Sequence, residues 1–259
     1  MKIRDAQKAR GERSFQVVID LLTIGFELLM KVLLWVVALS PLAVFGVVAS
    51  VVGQQEAMAV LRSLLALIVV VATGLALQVT WYLVQMLVLA GMSPLRFLGG
   101  ALDVMANTFS TASTAATIPI TLRSLARLGI SRRSSQLTAC IGTNFNNDGT
   151  ALYQATAVLF IAQALGFDLS LGDQVMIMLT TLIASVGAGG IPSGSFVTLP
   201  LIFAAVRMPV DKIPILLTVD WLLDRLRTTS NVLGDMTVAV LLDRVSPPGK
   251  ASIDDAGLA

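Results

Sequence analysis

The sequence has 259 residues, of which 56% are hydrophobic and only 13% charged, and its mean hydropathy is +0.84. A soluble domain normally carries about a quarter charged residues, so the composition points to an all-α integral membrane protein. A net charge of +2 is too small to suggest a nucleic-acid partner, and one cysteine with no histidine excludes an intrachain disulfide, a histidine-based zinc site and a Ser-His relay.

Residues 1–14 are basic (Lys2, Arg4, Lys8, Arg10, Arg13) and lead into the apolar stretch Phe15–Val52. A signal peptide has an apolar core of about 7–15 residues, so this longer stretch is expected to be a retained membrane helix. It exceeds what a bilayer core of about 30 Å requires at about 1.5 Å per residue, and Pro41 offers a break. Its charges, Asp20, Glu27 and Lys31, are expected against protein or near headgroups. A second long helix follows from Met58 to Ala90, ended by Gly91-Met92-Ser93-Pro94. Residues 15–94 are thus expected to hold two long membrane helices.

The pattern then changes, and residues 95–245 read as a transport core. A hairpin over 97–130 contains the Ser/Thr-rich run Ala106–Thr121, expected to be interrupted at Ile118-Pro119. A helix over 134–165 is interrupted at Asn144–Thr150, and a second hairpin over 170–210 has its tip at Ser185–Ser195. A polar-striped helix covers 214–242, and a polar tail 246–259 closes the chain. Paired interrupted apolar segments point to a transporter binding site, because non-helical backbone at membrane depth survives only when buried in protein or lining a wet cavity. The basic residues put both termini on the cytoplasmic side of a cell membrane, with Arg96, Arg123, Arg127, Arg132, Arg133 and Arg244 on that side too.

Chemistry concentrates on the last helix. Asp220, Asp224, Arg227, Asn231 and Asp235 are spaced 4, 3, 4 and 4 apart, which places them on one helical face. A charge at the bilayer centre costs about 2.5–3.5 kcal/mol even on the lenient scale, so these groups must be paired or functional. Arg227 suits a carboxylate bidentately, and Asp224 one turn earlier suits an amino group; the alternative is an internal Asp224–Arg227 ion pair without a ligand. In NFNNDGT, the oxygens of Asn146, Asn147 and Asp148 suit a hard cation, and Gly149 would permit an unwound turn. The hairpin tips offer backbone N–H groups to an anion, or simply pack closely. Cys140 is expected to be a buried small hydrophobe.

In order and spacing, NFNNDGTALYQ (Asn144–Gln154), SVGAGGIPSG (Ser185–Gly194) and VDWLLDRLRTTSNVLGD (Val219–Asp235) resemble the glutamate/aspartate transporter family, the dicarboxylate/amino acid:cation symporters. The resemblance covers almost the whole chain but only the later part of a family member, so the chain is expected to be truncated at its N-terminal side by four helices. It implies a glutamate-transporter-like core with two re-entrant hairpins, an elevator movement, a homotrimer, no cofactor, and sodium or protons as coupling ion. By motif, the substrate would meet Ser113, Thr114, Thr150, Ile191, Asp224, Arg227, Thr228 and Asn231. One cation site would use Gly142, Asn146, Asn231 and Asp235, another Asn144, Ser185, Val186 and Ala188, and a third Asp148. Asn147 stands where the family usually has methionine, and Ala112–Ala115 replaces a run of serines.

The function so implied is symport of an acidic amino acid or dicarboxylate across the lipid bilayer, by a chain that is not an enzyme. One alternative is a truncated or split transporter remnant that is inactive without a partner chain supplying the missing helices. Another is a neutral amino acid symporter, which Arg227 opposes because an unpaired buried guanidinium is costly. Arg227→Ala is expected to abolish acidic-substrate binding while sparing the fold.

Overall fold

The computed structural model of the chain describes residues 14–39, 41, 42, 44–46, 49 and 57–246. Most of the basic N-terminus and most of the polar tail therefore lie outside the described residues. The chain forms two compact units, residues 1–46 and 47–259. Among the described residues every regular element is helical.

The first unit contains α1, Ser14–Ala38, which stops short of Pro41. Asp20 accepts a hydrogen bond from Gln16 one turn earlier at 3.0 Å. Asp20, Glu27 and Lys31 are all exposed, so in this unit they do not rest against protein.

The second unit begins with α2, Ala57–Val88, about 48 Å long at 1.5 Å per residue. Its inner face, Leu64, Leu67, Val71, Leu75, Tyr82 and Met86, is buried at helical spacing. The opposite face is equally apolar and exposed, through Leu61, Leu65, Val69, Leu77 and Trp81. By length and composition Met58–Val88 and Leu171–Ala188 are apolar enough to cross a membrane, and α2 lacks the polar outer face that a water-facing helix carries.

Helices α3 (Pro94–Thr111) and α4 (Thr114–Arg127) pack as a hairpin. The turn comes at Ala112, whose φ of +50° ends α3, and at Ser113, whose Oγ caps α4 by accepting from the Ala116 N–H at 3.2 Å. The expected break at Ile118-Pro119 is absent. Pro119 lies in the second turn of α4, where it removes a single backbone hydrogen bond and the helix continues.

Helices α5 (Arg132–Phe145) and α6 (Asp148–Ala164) are parted by only two non-helical residues, Asn146 and Asn147. Gly149 is helical, so it supplies no unwound turn. A Cβ there would lie 2.9 Å from both the Arg227 carbonyl oxygen and Asn231 Oδ1, so glycine is needed for close approach to the last helix. Cys140 is exposed, because α5 turns Thr138, Ala139, Gly142 and Thr143 inward instead.

Helix α7 (Leu171–Ala188) opens with a capping box between Ser170 and Asp173 and ends at Gly189, φ +64°. After the turn Gly189–Gly194 comes α8, Ser195–Ala205. A 3₁₀ segment, Val210–Leu216, leads into α9, Leu217–Val245. This last helix packs against α2, α3, α4, α5 and α6. One apolar cluster gathers Leu67, Val71, Tyr153, Ile161, Leu199 and Leu223, and another gathers Tyr82, Met86, Phe97, Leu125, Val232 and Met236. Between Leu223 and Val232, Asp224, Arg227, Thr228, Ser230 and Asn231 are buried. The polar site is a layer between two apolar cores.

Candidate functional site

Helical spacing turns the stripe of α9 inward, and all five of its groups are buried: Asp220, Asp224, Arg227, Asn231 and Asp235. Arg227 is only 1% exposed. Its Nη1 donates to Asp220 Oδ1 at 2.7 Å, and its Nη2 lies 2.8 Å from Asp224 Oδ1 and donates to Ser195 Oγ at 2.7 Å. The Tyr153 ring lies under the guanidinium, 4.3 Å from its centroid. The internal Asp224–Arg227 pair is therefore present, and Asp220 adds a second carboxylate. Two carboxylates around one guanidinium leave a net formal charge of −1. This arrangement also corrects the expectation that Arg227→Ala spares the fold, since it would strand two buried carboxylates.

The hairpin tips close over this pair. The Ser193 N–H donates to Asp224 Oδ2 at 2.8 Å, and Ser193 Oγ to Asp220 Oδ2 at 3.3 Å, with Ser193 held at φ +54°. Ser113 Oγ and the Ala115 N–H both donate to the Gly190 carbonyl, at 2.8 and 3.2 Å. A cavity of about 10 Å³ remains, lined by Thr114, Thr150, Ile191, Asp224, Arg227, Thr228 and Asn231 among others. That is room for one water at most. Thr114 Oγ1 is buried there without a hydrogen-bond partner.

The residues expected to hold cations fall into separate places. Gly142, Asn146 and Asp235 meet: Asn146 Nδ2 donates to Asp235 Oδ1 at 2.9 Å, and a Cβ on Gly142 would run into the same carboxylate. Asn231 joins the helix break to α9, accepting from the Gly149 N–H at 2.8 Å and donating to Asn147 Oδ1 and Thr150 Oγ1 at 3.1 and 3.0 Å. Asp148 is half-buried and accepts from the Tyr82 hydroxyl and, at 2.9 Å, from the Gly149 N–H. Asn144 is exposed, and its carbonyl accepts from Asn147 Nδ2 at 3.1 Å. Ser185 and Ala188 are buried in the last turn of α7, where the Val186 side chain is exposed.

Among the described residues, Asp148 and Asp235 take part in no ion pair. No group of three or more His, Cys, Asp or Glu there is fit to hold a metal ion. A cation at this end would thus rest on a lone carboxylate with amide and carbonyl oxygens, a donor set suited to a hard ion.

Asp220 follows from the stripe, one turn before Asp224, whereas other members of the site do not follow from spacing. Ser193 and Ser195 lie in the second tip but carried no mark distinguishing them from their neighbours. Nothing in the sequence marks the Tyr153 ring or the Tyr82 hydroxyl as partners of Arg227 and Asp148.

A profile of the Sodium:dicarboxylate symporter family matches residues 5–245. The chain is 36% identical over 223 residues to excitatory amino acid transporter 1 of Mus musculus, covering 85% of this chain and 41% of that protein. It is 37% identical over 223 residues to excitatory amino acid transporter 4 of Mus musculus, covering 85% and 40%. To an excitatory amino acid transporter of Caenorhabditis elegans it is 36% identical over 241 residues, covering 92% and 47%. The chain spans less than half the length of these relatives. With the profile matching nearly its whole length, the chain belongs to the sodium:dicarboxylate symporter family.

Proposed function

We propose that this chain provides the substrate- and cation-binding core of a sodium-coupled carrier for acidic amino acids or C4-dicarboxylates. It would sit in the cell membrane with both termini cytoplasmic and with its two helical hairpins re-entrant. The carrier would be a homotrimer moving its core as an elevator, and would carry out no enzymatic chemistry.

The observation that carries this reading is the difference in charge compensation between Arg227 of α9 and the carboxylates of Asp148 on α6 and Asp235 on α9. Arg227 is compensated from within the protein, whereas Asp148 and Asp235 face no basic partner among the described residues. A carboxylate away from water is costly without a positive partner, and a coupled sodium ion supplies that partner without altering the fold. At the other end, the net negative charge around Arg227 suits an ammonium group at Asp224. The guanidinium suits a substrate carboxylate once an acidic side chain gives up its place. A cavity of about 10 Å³ does not admit an amino acid, so entry requires the Ser193 tip to release Asp224. Thr114, Thr150, Thr228 and Asn231 would then line the substrate, and Ser113 and Ile191 would hold the tips.

One observation favours a second reading, a neutral amino acid. Because Asp220 and Asp224 already compensate Arg227, a neutral substrate would not leave the guanidinium unpaired. Calorimetric titration of the purified chain with L-aspartate and with L-alanine, in sodium and in choline, separates the two. Sodium-dependent heat with L-aspartate only is the expected result. Heat with L-alanine only would replace acidic with neutral transport, and equal heats in choline would remove the sodium coupling.

A further inference from the structure

Helix α2 belongs to none of the motif-bearing segments, yet it sends the Tyr82 side chain into the region assigned to cations. Tyr82 is 6% exposed, and its hydroxyl donates to Asp148 Oδ2. The space for the phenol is made by α9: a Cβ on Gly234 would lie 2.9 Å from Tyr82 Oη and 2.7 Å from Asn146 Nδ2. Asn146 in turn donates to Asp235. The two carboxylates without basic partners are therefore each held by a neutral donor, and the two donors meet across Gly234.

We infer that Tyr82 is a positioning residue for cation binding, holding the Asp148 carboxylate in the orientation that a sodium ion uses. This rests on the proposed sodium-coupled function. A carboxylate offers about four lone-pair directions. Tyr82 takes one on Oδ2 and the Gly149 N–H takes one on Oδ1, which sets the plane of the group and leaves the other directions to the nearby Gln78 amide and to an ion. Preorganisation of this kind acts on affinity by removing the cost of ordering the ligand group when the ion arrives. The phenol ring itself belongs to the apolar cluster with Met86, Val232 and Met236, so Tyr82→Phe keeps the packing and removes only the hydroxyl.

A second polar link between the same two helices supplies the control. Arg244 Nη1 of α9 donates to the Ala90 carbonyl just beyond the end of α2 at 2.7 Å, about two turns from Tyr82. Arg244→Ala breaks that link away from Asp148 and Tyr82. The experiment is calorimetric titration of L-aspartate into the purified chain over a series of sodium concentrations, for the wild type, Tyr82→Phe and Arg244→Ala. Thermal unfolding of each variant is followed in choline. Tyr82→Phe is expected to raise the sodium concentration for half-maximal binding about tenfold, equivalent to roughly 1.4 kcal/mol. L-aspartate affinity at saturating sodium should be unchanged, and Arg244→Ala should match the wild type. An unchanged sodium requirement in Tyr82→Phe overturns the inference, and so does a lowered one, which would make the phenol a competitor of the ion. An equal shift in Arg244→Ala also overturns it, by reducing the effect to helix docking. Absence of sodium dependence in the wild type brings down the functional reading, and this inference with it.

Discussion

The four buried or half-buried carboxylates of the site form two pairs that solve the same problem differently. Asp220 and Asp224 share Arg227, with Ser193 and Ser195 adding hydrogen bonds. Among the described residues, Asp148 and Asp235 are held by neutral donors, Tyr82 with the Gly149 N–H and Asn146. The first arrangement has a basic partner within the protein and a net formal charge of −1. The second has no basic partner among the described residues, and it is there that the proposed cation would supply positive charge. The difference divides the site into an end that holds its own ion pair and an end that holds none.

The largest effect is expected where the protein compensates itself. Arg227→Ala leaves Asp220 and Asp224 buried with no counter-charge, and removing one partner of such a cluster destabilises by about 3–5 kcal/mol. Chemical unfolding in detergent should show a loss of that size, with substrate binding gone in whatever fraction remains folded. A variant with wild-type stability would break the comparison, because it would mean that the carboxylates around Arg227 need no partner either.

The opposite end responds to the ion in place of the side chain. Sodium at about 100 times its Kd should stabilise the wild type by about 2.7 kcal/mol relative to choline. Asp235→Asn should lose most of that gain while remaining at least as stable as the wild type in choline, since the substitution removes an uncompensated charge. Thermal unfolding of both proteins in the two salts measures this directly. If Asp235→Asn unfolds early in choline, Asp235 is a structural acid and the two ends differ less than their partners suggest.

How much of this could be read in advance depends on whether a feature is local. The stripe Asp220–Asp235 announces itself, because 4, 3, 4, 4 spacing in an apolar helix has a single geometric meaning. The two-residue helix break lies inside the NFNNDGT run, where asparagines and a glycine cluster. Pro119 misled because proline inside a helix usually kinks or ends it, whereas α4 runs through it from Thr114 to Arg127. Gly149 looked like a hinge and is instead a point of contact with Arg227 and Asn231, 82 residues away in the case of Asn231. Tyr82 lies 66 residues before Asp148, and Tyr153 owes its place under Arg227 to the packing of α6 on α9. Pairings across helices of this kind carry no periodicity, so only the fold reveals them.

The smallest effect concerns a neutral group, and it tests the same logic on the Arg227 side. Thr114 Oγ1 is buried beside the cavity with no partner, and an unsatisfied buried hydroxyl costs about 1–3 kcal/mol. Thr114→Val preserves the shape of the side chain and removes the oxygen. If that hydroxyl is kept for a substrate, the variant should gain about 1 kcal/mol in unfolding free energy and lose a similar amount in L-aspartate affinity. The two changes have opposite signs, which distinguishes a binding group from a packing group. A loss of stability without a change in affinity would show that Thr114 serves the contact between the hairpin tips, where its hydroxyl faces Gly190. The rule that unpartnered polar groups await a ligand would then hold for the lone carboxylates and not for the hydroxyl.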